Sequence, residues 1–241
     1  LPDWMINKDR VSLCFRTPES VYDPYLMREL LLQKIRNSKL NLFLNHEIID
    51  GNKNNKSLII KNKTDQYEES FDIIINATYS HFNTFNKWFN FETKEVQYDL
   101  MELLVLKLPV KKYGMLILDG LFCTILPIGN QGTFVLGHVK HTMLKRLVAK
   151  EMQEIHKTRI IESNKNMILN ESAKWMPILK KAKIIKSMYS TRVIKPHREH
   201  DDARPTEITE YGDGFYSIFA GKVITAVQTA NELVKKIKNE K

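Results

Sequence analysis

Gly221 and Lys222 stand where an apolar run, Phe215 to Phe219, gives way to a long amphipathic pattern. That order reads as a strand, a glycine turn and a terminal helix, whose first backbone N–H groups are unpaired and partly positive. The lysine adds a full charge, so the turn can receive an anionic group, or simply pack with its lysine in water. Arg204, in "DARP", can grip a carboxylate or phosphate through two parallel hydrogen bonds, or pair locally with Asp201 and Asp202. His138 with His141, and His197 with His200, are spaced i, i+3. Neither pair has a zincin-type glutamate or a cysteine beside it, which disfavours a metal centre. His138, expected at a strand end, reads better as a structural hydrogen-bonding group. No serine or cysteine stands in a nucleophile-elbow context, so covalent hydrolysis is disfavoured too. Neither G-x-G-x-x-G nor G-x-x-x-x-G-K-[ST] occurs. The one G-x-G, Gly212-Asp213-Gly214, precedes a strand instead of following one.

The elements that must position these residues follow from periodicity. Asp23 and Pro24 are a cap and a first helical residue for an amphipathic helix through Leu26, Leu30, Leu31 and Ile35. "NLFLNHEII" and "SLIIKNK" read as strands, and Ile73 to Ile75 as a strand buried on both faces of a mixed or parallel sheet. From Val96 the texture becomes antiparallel: "VQYDLMELLVLKLPV", "GMLILDGLFCTILPIG" and "GTFVLGHV", with turns at Asp119-Gly120 and at Gly129 to Gly132. A helical stretch is expected from about His141 to Lys183, broken near Asn164 to Asn170, with Trp175, Leu179 and Ala182 on one stripe. "KIIKSMYSTRVI" returns as a strand, and Tyr189 and Arg192 fall on opposite faces because their separation is odd. The closing strand and helix repeat the texture of the first part.

Bulk properties narrow the function classes. A chain of 241 residues, 43% hydrophobic and 10% aromatic, can bury one large core or two modest ones. No apolar run reaches the roughly 20 residues of a membrane span, and "LPDWMINKDR" lacks the apolar core of a signal peptide. The formal charge of +9 permits anionic partners. Its lysines are scattered, however, and no nucleic-acid module accompanies them, so nucleic acid is not an expected partner. Cys14 and Cys123 are far apart, which predicts free thiols buried as small hydrophobes, a reducing compartment and a cytoplasmic location. The chain begins at Leu1, as expected of a processed product or a piece of something longer.

Three segments together resemble one family. "RTPESVYDPYLMRELLLQKI", "FDIIINATYSHFN" and "DARPTEI…DGFYSIFAGKVITAVQTANELV" are similar, in order, to segments of the FAD-dependent oxidoreductases related to D-amino-acid oxidase and glycerol-3-phosphate dehydrogenase. The resemblance implies an α/β fold. Residues 1–95 and 197–241 would form a mixed FAD/NAD(P)-binding-type sheet layer, incomplete at its N-terminus, around an inserted antiparallel α+β substrate domain at 96–196. It implies FAD as cofactor, held by Asn76, Ala77, Thr78, Ala220, Gly221, Lys222 and Val223, with Thr225 and Gln228 nearby. The helix after Gly221 would face the pyrimidine edge of the flavin, where negative charge gathers on reduction. Arg204, Arg192 and Tyr189 would contact a small, anionic substrate oxidised at a C–H beside an amine or hydroxyl; no catalytic base is named. The glycine fingerprint for the ADP half would lie in an N-terminal segment outside these residues. Two positions depart from the family pattern: Tyr79 stands where a glycine is usual, and Ala220 replaces the first glycine of "GGK". Tyr79 and the absent fingerprint support the alternative of a non-catalytic binding or scaffold protein that keeps the fold.

Overall fold

Asp23 and Pro24 open the first helix as their side chains require. In the computed structural model Asp23 Oδ1 accepts from the N–H groups of Tyr25 at 2.9 Å and Leu26 at 3.4 Å, and Pro24 fixes the first helical φ of α1, Pro24–Arg36. The structure describes residues 1–18, 20–118, 123–129, 132–152, 162–198 and 204–239. After α1 come β1 (Glu47–Asn52), β2 (Ser57–Lys61), β3 (Gln66–Ser70), β4 (Ile74–Asn76) and the short helix α2 (Phe82–Trp88). Next are β5 (Val96–Lys107), β6 (Met115–Leu116), β7 (Cys123–Pro127), β8 (Thr133–His138) and β9 (Met143–Ala149). Helix α3 (Lys165–Trp175), β10 (Lys183–Ile194), β11 (Glu207–Glu210), β12 (Phe215–Phe219) and α4 (Ala226–Asn239) complete the order. No described helix is long and apolar enough to cross a membrane.

The chain divides into two compact units. The first comprises Leu1–Leu42, Asp99–Lys145 and Arg159–Ser190, and the second Phe43–Tyr98, Arg146–Thr158 and Thr191–Lys241. This grouping differs from the expected 1–95, 96–196 and 197–241 at residues 1–42, which join the antiparallel sheet, and at 146–158 and 191–196, which join the other unit. Residues 1–42 belong with the antiparallel sheet because Met5 and Ile6 are buried in its core.

The antiparallel unit is built on the order β10-β5-β8-β7-β6, with β9 also pairing β5. Alternation along β5, β7 and β8 puts Leu104, Leu106, Ile125, Phe134 and Leu136 on one face, and Ile168, Met176, Ile178 and Leu179 cover it. Two expectations are corrected here. Met143–Ala149 is a strand, not the start of a helix, because its side chains can alternate and β5 supplies a ladder partner. Helix α3 runs through the expected break at Asn164 to Asn170 and stops at Trp175. Pro177 lacks an N–H and biases Met176 to an extended conformation (φ −121°), so Pro177–Lys181 continues as a 3-10 turn. Asn7 closes that end: its N–H donates to Trp175 O at 2.9 Å and its Nδ2 to Lys174 O at 3.1 Å. The apolar stripe of α1 buries nothing; Leu26, Leu30 and Leu31 are exposed among the described residues.

The second unit holds an antiparallel meander, β1-β2-β3, and a mixed sheet, β11-β12-β4. The β12–β4 pair is parallel and β11–β12 antiparallel, as a mixed sheet layer requires. Strand assignment within "NLFLNHEII" is late: ladder pairing begins only at Glu47. Phe85 of α2 and Phe89, which caps it, meet Phe215 and Ile74, and Phe91 stacks on Tyr211 with centroids 4.1 Å apart. This aromatic cluster covers one face of β4 and β12. The other face is not covered at Ile75, which is 43% exposed, so burial of β4 on both faces is corrected. The Asp119-Gly120 turn lies outside the described residues, whereas Gly129 and Gly132 both take positive φ as turn residues.

Candidate functional site

The parallel pair brings two of the singled-out segments to one end of one sheet. Its register sets Phe215 beside Ile74 and Ser217 beside Asn76. The strands run the same way, so Ala77, Thr78 and Tyr79 leave β4 at the end where Ala220, Gly221 and Lys222 leave β12. Carboxyl ends of parallel strands are where open α/β sheets receive ligands. Ala77, Thr78, Lys222 and Val223 are all exposed there.

Asn76 builds this end without facing it. Its side chain is buried; Nδ2 donates to Phe82 O at 2.9 Å and to Ser217 Oγ at 3.0 Å, while Oδ1 accepts from Thr78 N at 3.1 Å and Thr78 Oγ1 at 2.6 Å. The amide is therefore engaged on both its atoms, welding β4 to β12 and bending the chain after Ala77. Tyr79 follows with φ +56°, the left-handed region that glycine enters freely and tyrosine only at a cost. Its hydroxyl accepts from Val193 N at 3.1 Å, which offsets part of that cost. The turn thus keeps the backbone shape for which a glycine is usual, with a ring added.

Gly221 has a different reason. A Cβ there would lie 2.7 Å from the carbonyl carbon of Arg204 and 2.8 Å from that of Pro205, so the Arg204-Pro205 backbone crosses directly over it. Its N–H donates to Thr206 Oγ1 at 3.0 Å, and Thr206 Oγ1 also meets Thr225 Oγ1 at 2.8 Å. Thr225 is consumed in this knot and in a bond to Lys222 O, and Gln228 is exposed. Val223–Thr225 is a 3-10 turn leading into α4. Among the described residues the N–H groups of Lys222, Val223 and Ile224 meet no protein acceptor, as at any helix start. The end of this sheet therefore presents backbone donors and one ammonium group, with no carboxylate on Ala220 to Val223.

Of the candidate substrate contacts, Arg204 and Arg192 are partly buried in this unit and both are engaged by neighbouring groups. Nearby on β11, Glu207 takes Lys195 in a short ion pair and lies 3.8 Å from Lys94. Tyr189 belongs to the antiparallel unit, is 53% exposed, and points its hydroxyl at Glu102 Oε1, 3.4 Å away.

Glu102 is the residue the sequence reading missed. It is fully buried on β5, and its carboxylate accepts from Ser163 Oγ and Asn164 N, both at 2.6 Å, and from Ser187 Oγ. Burial pushes its pKa up, but the hydroxyls of Ser163 and Ser187, the Asn164 N–H and Tyr189 outweigh burial and hold it below the ordinary value. The available signal was a lone carboxylate inside the apolar run "MELLVL".

His138 is buried at the end of β8, its N–H bonded to Thr142 Oγ1 at 2.8 Å and its Nδ1 accepting from Lys140 N at 3.2 Å. Burial and the adjacent His141 ring, 4.7 Å away between centroids, hold it below its usual range, with Glu171 pulling the other way. His197 lies in the turn after β10 at φ +59°, and His200 is outside the described residues. Among the described residues no group of three or more His, Cys, Asp or Glu side chains is placed to hold a metal.

No family model matches the sequence. No curated protein matches it at a significant level. Solved structures do match. The chain is similar to an L-proline dehydrogenase from P. horikoshii at 17% identity and a TM-score of 0.59, over 82% of this chain and 50% of that one. An iminodiacetate oxidase (IdaA) from Chelativorans sp. BNC1 gives 14% and 0.58, over 80% and 48%. A geranylgeranyl bacteriochlorophyll reductase-like protein from Thermoplasma acidophilum gives 11% and 0.56, over 93% and 59%. The chain spans about half the length of the first two. It has the mixed α/β fold of these oxidoreductases, the fold class that the three sequence segments implied.

Proposed function

We propose that this chain is the flavin-facing and substrate-facing part of an FAD-dependent oxidoreductase related to D-amino-acid oxidase. The observation that carries the reading is the parallel β4–β12 pair, which sets Asn76-Ala77-Thr78 beside Ala220-Gly221-Lys222 at one carboxyl end. The residues suit the group. The unpaired N–H groups of Lys222, Val223 and Ile224, with the Lys222 ammonium, form a donor edge for the pyrimidine side of a flavin. Bound there, FAD would supply the hydride-accepting chemistry for a C–H beside an amine or hydroxyl. Asn76, Thr206 and Gly221 act by holding the two turns in place. Ala77, Thr78, Ala220, Lys222 and Val223 lie along the cofactor, and Arg204, Arg192 and Tyr189 are proposed on the resemblance as contacts of a small, anionic substrate. An arginine fork fits a carboxylate, which is the reason for preferring an anion.

The ADP half needs a glycine-rich strand-to-helix turn that these 241 residues lack, and we propose that it is contributed by a further, N-terminal segment of the same protein. Three facts support this. The chain spans about half of the solved structures it matches. Strand β4 ends its sheet as a parallel strand with no outer neighbour among the described residues. Val227 and Val234 leave an apolar stripe of α4 exposed, continued by Val223 in the turn before it. A reducing, cytoplasmic location belongs to the same proposal, consistent with Cys14 and Cys123 being free thiols.

Tyr79 favours one competing reading. A ring at φ +56° tied to Val193 fills space that the resembled family leaves to a glycine, as suits a scaffold that has given up its cofactor. The visible spectrum and the melting temperature of the complete encoded protein decide between them. Flavin absorbance, or a melting temperature raised by added FAD, is the expected result. A colourless protein whose melting temperature saturating FAD leaves unmoved rejects the enzyme reading and supports the scaffold.

A further inference from the structure

At the C-terminal end of α3 a cleft of about 300 Å³ is lined by Asn7, Arg10, Asn170, Lys174, Pro177 and Lys180. Its walls come from two distant stretches of the antiparallel unit, held together by the bonds from Asn7 to Trp175 O and Lys174 O. The guanidinium of Arg10 lies over the Trp175 ring, 5.8 Å from its centroid, which restrains it, and the side chain is exposed. Lys174 is paired with Glu171 at 2.7 Å. Neither Arg10 nor Lys180 makes an ion pair among the described residues. Among the described residues no acidic side chain lines the cleft; Asp9, next to Arg10 in the chain, is exposed and outside it.

Part of this charge has an ordinary explanation, because cations collect at the negative end of a helix. A helix end carries only about half a negative charge, and Glu171 cancels one cation more, so roughly one and a half positive charges are left over. That surplus exceeds what a monocarboxylate would balance and approaches what a phosphate dianion carries. The fork of Arg10 matches two oxygens of a tetrahedral anion, and Lys180 and Asn170, which line the same cleft, offer further donors. The volume is at the small end of ligand sites.

We propose that this cleft is a binding site for a small phosphate-bearing anion, independent of the flavin reading above. The test is a ³¹P NMR titration of inorganic phosphate with the complete encoded protein at fixed ionic strength, followed by line broadening. Saturable, one-site broadening is expected, with sulfate competing and acetate competing far less. Arg10→Gln and Lys180→Gln should each weaken binding by about tenfold. Lys236→Gln with Lys238→Gln, on α4, should leave it unchanged. Lys180 is exposed, so its variant remains a sound test if the Arg10 variant fails to fold. Broadening that never saturates, equal competition by acetate, or binding unaltered in Lys180→Gln overturns the site. A methyl phosphate arm separates the sources: tighter binding than inorganic phosphate assigns an ester ligand, and weaker binding the free ion.

Discussion

Replacing Gly221 with alanine tests whether the glycine turn is a packing device before it is anything else. The added Cβ would lie 2.7 Å from the Arg204 carbonyl carbon and 2.8 Å from that of Pro205, with the Arg204 oxygen nearer still. Unstrained carbon contacts lie at about 3.5–4.0 Å, so the two backbones must separate by close to an ångström. Backbone cannot swing aside as the tip of a side chain can. Overpacking of this kind costs about 1–3 kcal/mol. The separation also breaks the Gly221 N–H bond to Thr206 Oγ1, worth about 1 kcal/mol. The sum is about 3 kcal/mol, which for a chain of this size is a fall in melting temperature of about 6–12 °C. Thermal melts followed by circular dichroism, with a urea midpoint as a second measure, read it directly. Ala220→Gly is the control, expected to change stability by under about 1 kcal/mol. A Gly221→Ala protein melting within about 2 °C of the parent would show that Arg204-Pro205 does not press on this turn.

Further outcomes follow from the same geometry. Tyr79→Phe should cost about 1 kcal/mol by freeing the Val193 N–H, whereas Tyr79→Gly should be nearly neutral, because relief of the φ +56° backbone offsets the lost bond; urea midpoints compare the two. Glu102→Gln should destabilise by about 2–3 kcal/mol at neutral pH, measured by urea unfolding, since three donors lose a charged acceptor. The folded pKa of Glu102 is depressed, so its stabilisation is complete above the ordinary value of 4.5 and is lost as pH falls through the folded value; the Gln variant should lack that acid limb. His138 is also held low, so stability should already decline as pH falls below its ordinary 6.5, and a His138→Asn protein should show a flatter profile there. Cys14, expected to be buried, is exposed, so a native thiol titration should modify it and spare Cys123, whose thiol burial pushes up to about 11.

Elements set by local pattern were legible in the sequence, and groups set by distant partners were not. "KIIKSMYSTRVI" and "FYSIF" coincide with β10 and β12 because their residues suit a pleated surface wherever they are placed. Helix α2 went unread, since "FNTFNKW" is two turns long and carries two asparagines whose value lies elsewhere. Asn83 donates to Lys94 O and Lys150 O, and Asn86 to Tyr211 Oη, 125 residues away. The same holds for the candidate site. Asn76 reads as a motif residue facing a ligand, yet its amide is spent on Ser217, 141 residues on, and on its own turn. Glu102 reads as an oddity in a strand until Ser163 and Ser187 come to it from 61 and 85 residues away. Periodicity carries no information about such pairs.

The short strand β4 has a practical side. Its outer edge is a row of backbone donors and acceptors with Ile75 exposed beside it, and no lysine or proline within Ile74–Asn76 to discourage pairing. Such an edge is adhesive: it will accept whatever extended peptide reaches it first, including the same strand of another molecule. Three residues form few such bonds, so self-association of this chain in isolation should be weak and concentration-dependent. Dilution, or a synthetic strand supplied in trans, becomes the means of keeping it single.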